Sequence, residues 1–381
     1  MAPNLAKTIQ KPNITVEELL SKMPRPTEKF SYEHITSKLM LEMFKTLKPK
    51  PSAGPDKISS KLLHMIKYKI SDTLTTIYNK SIDEAKYPLC LKNAILTPLF
   101  KADDPTQCSN YRPISNLPSV SKVYEKINNY QENQFEKVHS IVPSLQFGFK
   151  KSHSTVHPTM ILKDYIERKT STGHYCVLIA IDLKKCFDTV DTKNILPKKL
   201  AHYNYTDEAI SLKKSFFMGR KQIVSVNNTL SDEMNTNDIS CVQGSAVGPQ
   251  TFNYYVADMP YCTDFLSIYF ADDTTLILSH KDPLKLIQQA NSELIKVKEY
   301  FQANLLSLNV AKTVYTIFEP TVKVPLYSYL LLKYIPKVKI GNMKLGFVNE
   351  FKFLGITIDN KMKFSTHYGN VISKIKNTQT S

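Results

Sequence analysis

Apolar residues recur along the chain at two spacings, one typical of helices and the other of strands. A spacing of three or four residues predicts amphipathic helices over residues 33–47, 59–85, 249–259 and 282–304. In the second of these helices, one apolar face is shared by Leu62, Met65, Ile66 and Ile70. Pro249 near the start of the third helix and Asp282 at the start of the fourth are typical first-turn residues.

Short apolar or alternating runs predict the strands. They are NAILTPLF, CVLIAI, both arms of KQIVSVNNTLSDE, both arms of SIYFADDTTLILS, KTVYTIF and FKFLGITID. Asn227 and Asn228 mark the turn of the first hairpin, and Asp272 with Asp273 mark the turn of the second. The polar segment LKKCFDTVDTKN, directly after CVLIAI, predicts the start of a helix. Strands that alternate with helices and hairpins indicate an α+β fold, with a central antiparallel sheet covered by helices on one face.

The charge balance narrows the class of partner. The chain carries 50 lysine and arginine residues against 34 aspartate and glutamate residues, a net charge of +16. A cation excess of this size favours a polyanion such as nucleic acid. Because only four of these cations are arginines, they suit sequence-independent contact with a phosphate backbone. A basic protein without such a partner is the alternative that composition leaves open.

Other features argue against several classes of protein. The apolar run CVLIAI is too short to cross a bilayer, so we expect no membrane segment. The N-terminal stretch MAPNLAKTIQKPN has no apolar core of a secretion signal, so we expect an intracellular protein of the nucleus and cytoplasm. The six cysteines include no CxxC pair, which argues against a zinc site and against a disulfide framework.

Three carboxylates are the candidates for chemistry. Asp182 ends the strand CVLIAI, and Asp272 and Asp273 stand at the tip of an apolar hairpin. If both strands lie centrally in one sheet, the three side chains converge at one edge. Like charges at about 4 Å repel by roughly 4 kcal/mol at an effective dielectric of about 20, so such a cluster requires a cation. Oxygen ligands without histidine or cysteine favour Mg²⁺, and a pair of such ions supports nucleotidyl transfer.

Other aspartates are expected to be structural. The tripeptide ADD also occurs at 102–104, without a flanking apolar strand, and this second copy is predicted to be solvated. Because aspartate is common in turns, an ordinary turn is also the alternative for the copy at 271–273. Asp188 and Asp191 are predicted to cap a helix rather than to bind metal.

Seven segments of the chain carry a resemblance to a known family. They are YRPISNLPSVSKVYEKI, QFGFKKSHST, IAIDLKKCFDTV, QGSAVGPQTF, YFADDTT, LSLNVAKTVYTIF and FKFLGITID. In this order, over about residues 90–360, they resemble the reverse transcriptase domain of jockey-like non-LTR retrotransposons. The resemblance implies a right-hand polymerase fold. Its parts would be a lead-in over 1–50, a helical extension over 51–90, a reverse transcriptase domain over 91–365 and the start of a truncated thumb over 366–381, with the fingers over 91–175 and the palm over 176–365.

The resemblance also implies an activity. The chain would be an RNA-directed DNA polymerase that uses an RNA template, a DNA primer, dNTPs and two Mg²⁺ ions, with Mn²⁺ as an alternative ion. Asp182, Asp272 and Asp273 would be the catalytic metal ligands, together with the carbonyl of Leu183. A remnant that only binds nucleic acid is the alternative. An RNA-directed RNA polymerase is a third hypothesis, against which Phe187 and Ala271 argue.

Further roles implied by the resemblance concern the nucleotide and the nucleic acid. Phe187 would exclude a 2′-hydroxyl, although residue type alone equally fits core packing. The other residues implied to bind the nucleotide are Lys101, Arg112, Gln243, Gly244 and Lys312, the last as a proton donor to pyrophosphate. The residues implied to bind template or primer are Gln146, Gly148, Lys150, Lys151, Phe353, Leu354 and Gly355.

The chain departs from the family pattern at several positions. Lys150 and His153 stand where arginines are usual, Val242 where proline is usual, and Leu91 where tryptophan is frequent. Lysine keeps the charge but loses the bidentate geometry of arginine. Residues 1–50 are expected to offer no room for an endonuclease, and the thumb is expected to be largely missing. We therefore expect a fragment whose catalytic residues do not guarantee processive synthesis.

Overall fold

The computed structural model describes residues 9, 12–227, 229–236, 240–323 and 336–379. The chain divides into two compact units. The first unit is formed mainly by Val16–Val142 and Lys185–Ala257, and the second mainly by Pro143–Lys184 and Asp258–Ser381.

The described helices are numbered here in chain order. They are α1 (Val16–Leu20), α2 (Ser37–Thr46), α3 (Ser60–Asp83), α4 (Ser119–His139), α5 (Val156–Ser171), α6 (Cys186–Thr189), α7 (Ile195–His202), α8 (Asp207–Phe217), α9 (Gly248–Tyr255), α10 (Pro283–Ala303) and α11 (Ser365–Gln379). Within the described part of the chain, none of them combines the length and the apolar character that a membrane crossing needs.

The described strands are also numbered in chain order. They are β1 (Ala94–Phe100), β2 (Tyr111–Asn116), β3 (Tyr175–Ile181), β4 (Leu183–Lys184), β5 (Lys221–Val226), β6 (Thr229–Leu230), β7 (Met234–Asn235), β8 (Leu266–Phe270), β9 (Asp273–His280), β10 (Ser307–Leu308), β11 (Val314–Phe318), β12 (Lys339–Ile340), β13 (Met343–Lys344), β14 (Gly346–Phe347), β15 (Glu350–Phe353) and β16 (Ile356–Asp359). Together with the helices they form an α+β fold, as the sequence predicted.

A mixed sheet is the centre of the first unit. Its strand order is β2-β1-β5-β6, and β7 also pairs with β5. β1 is antiparallel to β2 and parallel to β5. The predicted strand NAILTPLF is confirmed as β1, and the predicted hairpin KQIVSVNNTLSDE is confirmed as β5 and β6. Asn227 adopts a left-handed φ of 49° at its turn, whereas Asn228 lies outside the described residues.

The second unit contains the sheet that carries the candidate chemistry. Its strand order is β14-β11-β3-β9-β8, in which β3 is antiparallel to both β11 and β9. Helix α5 contributes Leu162 and Ile166 to the core on the face of Cys176 and Leu178. Val177, on the opposite face of β3, is also buried. Both faces of this sheet are therefore covered, whereas the sequence predicted a cover of helices on one face only.

Helix α3 is confirmed, but its orientation differs from its apolar pattern. Met65 is 74% exposed and Leu62 is 44% exposed, whereas Leu63 and Tyr78 are buried. Polar groups on the buried side find partners, since the Tyr78 hydroxyl donates to Asn128 Oδ1 at 2.6 Å. The apolar face that the sequence suggests is therefore directed to solvent, because hydrogen-bonded polar groups occupy the buried face.

Two other predicted helices differ at their ends. After Asp182, residues Leu183–Lys184 form β4 and pair with β10, so the helix predicted there starts later and is the short α6. The helix after Pro249 ends at Tyr255 rather than near Met259. Pro260 opposes its continuation, because a proline ring clashes with the carbonyl four residues before it. By contrast α10 has its predicted start, with Asp282 Oδ1 accepting from the Leu284 N–H at 2.8 Å.

A buried ion pair joins two helices of the first unit. Lys213 on α8 places its Nζ 2.7 and 2.6 Å from the two carboxylate oxygens of Glu132 on α4. Both side chains are buried, and the Tyr32 hydroxyl also donates to Glu132. Burial, and next the Glu132 charge, raise the pKa of Tyr32 well above its usual value, so this phenol stays a hydrogen-bond donor.

Candidate active site

The three candidate carboxylates lie at one end of the second unit's sheet. Asp182 directly follows β3, Asp272 lies in the two-residue turn of the β8–β9 hairpin, and Asp273 is not in the predicted turn but opens β9, paired with Phe270. Ile181 pairs with Thr274 in the antiparallel β3–β9 ladder. The ladder ends at this pair, and Asp182 and Asp273 are the next residues at the same end of the two neighbouring strands. The backbone therefore brings together residues that are about ninety positions apart in sequence.

The electrostatics of this edge agree with the register. Desolvation by the surrounding protein raises the pKa of Asp273, and the carboxylates of Asp272 and Asp182 raise it further. Mutual repulsion of this kind is what a bound cation relieves, and a donor set of oxygens alone suits a hard divalent ion. In the part of the chain that the structure describes, no group of three or more His, Cys, Asp or Glu side chains is arranged to hold a metal ion. The donor chemistry thus fits a divalent cation, whereas the side chains are not set in coordination geometry.

Asn309 and Thr313 hold Asp182 in place. Asn309 Nδ2 donates to Asp182 Oδ2 at 2.7 Å, and the Asn309 N–H donates to the Asp182 carbonyl at 2.8 Å. The Asp182 N–H donates to the buried Thr313 Oγ1 at 3.2 Å. Sequence reasoning missed both residues, although they flank the exposed Lys312 in the segment LSLNVAKT. An asparagine and a threonine on either side of a candidate lysine were the available signal.

The candidate template segment lies beside the aspartate hairpin. Gln146 is only 1% exposed, and Gly148 is buried too. Lys151 is exposed, whereas Lys150 is half-buried with its Nζ donating to the Pro143 carbonyl at 3.1 Å. In this segment, the Lys151 ammonium is therefore exposed and the Gln146 amide is buried. Contact with a template stays a prediction.

The candidate primer segment forms the turn of the β15–β16 hairpin. Phe353 packs in the core of the second unit, with Phe351 and Ile358. Leu354 and Gly355 form the turn with φ values of 48° and 93°. The Phe353 ring is thus part of the core, and the turn backbone is what a primer could reach.

In the first unit, Phe187 is stacked on a second ring. Its ring centroid lies 4.5 Å from that of Phe252 with an interplanar angle of 29°, and Phe252 is buried while Phe187 is half-buried. The Phe187 carbonyl accepts from the Cys241 N–H at 2.8 Å. One face of the Phe187 ring thus packs on the core. This arrangement fits a residue that only packs in the core, and it equally fits a ring that contacts a nucleotide sugar.

The backbone of Gln243 and Gly244 packs closely against strand β2. The Ser115 N–H donates to the Gln243 carbonyl at 2.8 Å. Gly244 has a φ of 104°, and a Cβ there would lie 2.6 Å from the Ser115 carbonyl oxygen, so only glycine fits. Gln243 Nε2 donates to Asp188 Oδ1 at 2.6 Å.

The two aspartates predicted as helix caps have different roles. Asp191 Oδ1 accepts from the N–H groups of Lys193 and Asn194, at 3.0 and 2.7 Å, in the turn just before α7. Because the N-cap of α7 is Asn194, Asp191 stabilises the turn that leads into the helix rather than capping the helix itself. Asp188 instead binds the Gln243 amide, and burial raises the pKa of its carboxyl. The capping prediction for Asp188 is wrong, because a partner distant in sequence takes its carboxylate.

The remaining candidate cations lie at the end of the β1–β2 hairpin. Lys101 follows β1 and Arg112 lies on β2, and both are exposed. The Lys101 N–H donates to the Asn110 carbonyl at 2.9 Å, so the hairpin fixes its backbone. Between them, Asp103 and Asp104 are exposed, and Asp104 Oδ1 accepts from the N–H of Thr106 at 2.9 Å. The solvated loop predicted for the second ADD is confirmed.

Comparison with known proteins identifies related chains. Residues 100–358 match the family described as Reverse transcriptase (RNA-dependent DNA polymerase). The chain is 26% identical over 339 residues to the Probable RNA-directed DNA polymerase from transposon BS of Drosophila melanogaster, which covers 86% of this chain and 36% of that protein.

Two further relatives come from other species. The chain is 24% identical over 344 residues to the RNA-directed DNA polymerase from mobile element jockey of Drosophila funebris, covering 87% of this chain and 36% of the relative. It is 25% identical over 340 residues to the Retrovirus-related Pol polyprotein from type-1 retrotransposable element R1 of Bradysia coprophila, covering 86% and 32%. The chain thus spans about a third of the length of the curated relatives that it matches.

Proposed function

Because this chain belongs to the reverse transcriptase family of RNA-dependent DNA polymerases, we propose that it catalyses RNA-directed DNA synthesis for a non-LTR retrotransposon. Its substrates are a dNTP, a DNA primer with a free 3′-hydroxyl and an RNA template. The observation that carries the proposal is the β3–β9 register, in which Ile181 pairs with Thr274 and brings Asp182 and Asp273 to the same end of the sheet. The net charge of +16 supports a nucleic-acid partner.

Three carboxylates have the central role in the proposal. Asp182, Asp272 and Asp273 would hold two Mg²⁺ ions, with the carbonyl of Leu183 as a further oxygen ligand. Bound there, the ions would activate the 3′-hydroxyl and stabilise the pyrophosphate that leaves. Asn309 keeps the Asp182 carboxylate oriented through its 2.7 Å hydrogen bond. Mn²⁺ is the alternative ion, because it accepts the same oxygen ligands.

The other candidate residues bind the nucleotide. Lys101 and Arg112 bind the triphosphate through their positive charges. Gln243 and Gly244 contact the nucleotide through their loop, in which Gly244 has no room for a Cβ. Lys312 is exposed and supplies a proton to pyrophosphate.

A right-hand arrangement completes the proposal. The fingers span about 91–175 and the palm about 176–365, preceded by a lead-in over 1–50 and a helical extension over 51–90, and followed by a thumb that starts at about 366. The five-stranded sheet with β3 and β9 at its centre supports the palm assignment. Template contacts belong to the exposed Lys151 end of the segment 146–151, and primer contacts to the turn backbone of the segment 353–355.

Primer extension tests the proposed function. The purified chain is incubated with a DNA primer annealed to an RNA template, the four dNTPs and Mg²⁺. We expect template-dependent extension that stops when EDTA is added and that is absent when the four dNTPs are replaced by a single dNTP that is not complementary to the next template base. Failure to extend with either Mg²⁺ or Mn²⁺, by a protein that still binds the duplex, contradicts the proposal.

A remnant that only binds nucleic acid is the second candidate. The observation that favours it is that the carboxylates are not set in coordination geometry in the described part of the chain, while the lysine excess remains. It predicts duplex binding that weakens steeply with salt, without incorporation of any nucleotide. The same purified protein distinguishes the two candidates.

Replacing Phe187 by alanine tests its role as a wall for the nucleotide sugar. We expect the preference for dNTP over rNTP to fall by about 10- to 100-fold, because removal of the ring opens space for a 2′-hydroxyl. The measurement is the ratio of kcat/KM for dTTP and UTP on one primer and template. Phe187→Tyr keeps a ring stacked on Phe252 and should keep the preference. An unchanged ratio in Phe187→Ala would leave core packing as the only role.

Asn309→Ala tests how Asp182 is held. Loss of the hydrogen bond to Asp182 Oδ2 frees that carboxylate to rotate. We expect incorporation to fall by about 10- to 100-fold, with a higher Mg²⁺ concentration needed for half-maximal activity. The matched control is Asn360→Ala, since the Asn360 amide bonds Asn349 at 3.4 Å in an exposed part of the same unit. Equal Mg²⁺ dependence in both variants would exclude the orienting role.

A further inference from the structure

The turn that contains Asp272 and leads into Asp273 is held in an unfavourable conformation. Ala271, directly before Asp272, has a φ of 59°. This left-handed region favours glycine and is costly for a residue with a Cβ, so surrounding contacts must maintain it. Those contacts therefore help to decide where the two aspartate side chains lie.

A buried glutamine supplies contacts at both ends of Ala271. Gln146 Oε1 accepts from the Ala271 N–H at 3.1 Å, and Gln146 Nε2 donates to the Ala271 carbonyl at 3.3 Å. The same Oε1 accepts from the Gly148 N–H at 2.8 Å. With a side chain that is 1% exposed, the amide of Gln146 is satisfied by the protein and directed at the turn.

The backbone around Gln146 is fixed to the same hairpin. The Phe147 N–H donates to the Tyr269 carbonyl at 2.9 Å, and the Tyr269 N–H donates to the Leu145 carbonyl at 2.9 Å. This short parallel bridge joins the Gln146 segment to β8. The glutamine therefore acts from a rigid position rather than from a loose loop.

Gly148 permits the close approach. A Cβ at this position would lie 2.1 Å from the Ala271 nitrogen and 2.7 Å from the Ala271 Cα, which are backbone atoms that cannot yield. The glycine is thus required by contact with the turn itself.

We propose that Gln146 is a positioning residue, which fixes the Ala271 turn and so keeps Asp272 and Asp273 at the same end of the sheet as Asp182. The inference rests on the proposed function, because it gives these aspartates a catalytic role. It assigns the Gln146 amide to the turn, whereas the family resemblance implied contact with template or primer at this position.

Hydrogen exchange tests the contact without any assay of activity. In the unmodified protein, the Ala271 amide should be protected, because Gln146 accepts its hydrogen. In Gln146→Met, which has similar length but no amide, we expect exchange at Ala271 to become at least about tenfold faster, the factor for one lost hydrogen bond of ordinary strength. An unprotected Ala271 amide in the unmodified protein overturns the proposal, whether or not the variant folds.

Kinetics test the consequence for the reaction. We expect Gln146→Met to lower kcat by about 10- to 100-fold, while the Kd for the primer–template duplex and the KM for dNTP change less than about twofold. A weaker duplex Kd with unchanged kcat would overturn the proposal and return Gln146 to a template contact. If the unmodified protein does not polymerise, the proposed function fails, and hydrogen exchange still decides whether Gln146 holds the turn.

Gln131→Met is the matched control. Gln131 makes the same kind of amide bridge in the first unit, accepting from the Glu33 N–H at 2.8 Å and donating to the Glu33 carbonyl at 3.0 Å. We expect faster exchange at Glu33, with unchanged exchange at Ala271 and unchanged kcat. An equal loss of kcat in both variants would show a general effect on folding and contradict the positioning role of Gln146.

Discussion

Replacing Asp272 and Asp273 together by asparagine should reduce dNTP incorporation by about 10³-fold or more. Asp272 lies in the turn of the β8–β9 hairpin and Asp273 opens β9, at the same end of the sheet as Asp182, and asparagine keeps their size while removing the charge. Without that charge the edge of the sheet loses most of its attraction for divalent cations. Single-nucleotide incorporation on a primed RNA template, with the rate measured under enzyme excess, detects a loss of this size.

The chain supplies its own control for this experiment. Asp103 and Asp104 form the same ADD tripeptide in an exposed loop of the first unit. Asp103→Asn combined with Asp104→Asn makes an identical chemical change and should leave the rate within about twofold, as expected for surface positions. Incorporation at the unmodified rate by the Asp272 and Asp273 double variant would remove these residues from the mechanism.

The largest expected effect on stability is at the buried ion pair of the first unit. Lys213→Met should lower the free energy of unfolding by about 3–5 kcal/mol, because it leaves the Glu132 carboxylate buried without its cation. The Tyr32 hydroxyl still donates to Glu132 but does not neutralise it. The measurement is chemical denaturation followed by circular dichroism, with the midpoint and slope compared between the two proteins.

Two variants make this stability experiment specific. Combining Glu132→Leu with Lys213→Met removes both charges and should recover much of the loss. Lys163→Met breaks an exposed pair, since Lys163 and Glu167 lie 2.7 Å apart with side chains about half exposed, and should cost less than about 1 kcal/mol. A loss below about 1 kcal/mol in Lys213→Met would show that the buried pair adds no net stability.

Much of the candidate site was predictable from local pattern. The apolar run CVLIAI ends at Asp182 and the hairpin SIYFADDTTLILS turns at Asp272. The change from apolar to acidic residues therefore predicted the ends of both strands. Their neighbouring positions in the sheet then follow from antiparallel pairing of apolar strands. The exposed loop at the second ADD was equally predictable, because no apolar strand flanks it.

The contacts that sequence reasoning missed act over long separations. Asn309 reaches Asp182 from 127 positions away, and Gln146 reaches Ala271 from 125 positions away. Hydrogen bonds of this kind leave no periodic pattern in the sequence. The predicted orientation of α3 was wrong for a related reason. The Tyr78 hydroxyl bonds Asn128 on another helix, and this bond favours burial of a partly polar face.

The sheet of the first unit has a consequence for synthesis of the chain on the ribosome. β1 pairs in parallel with β5, which is translated more than a hundred residues later, after the whole of 143–184 has been made. At typical elongation rates this delay is on the order of ten seconds, during which β1 has only β2 beside it. The nascent chain therefore displays an open strand edge throughout that interval, and this is the period in which chaperones would protect it from pairing with other chains.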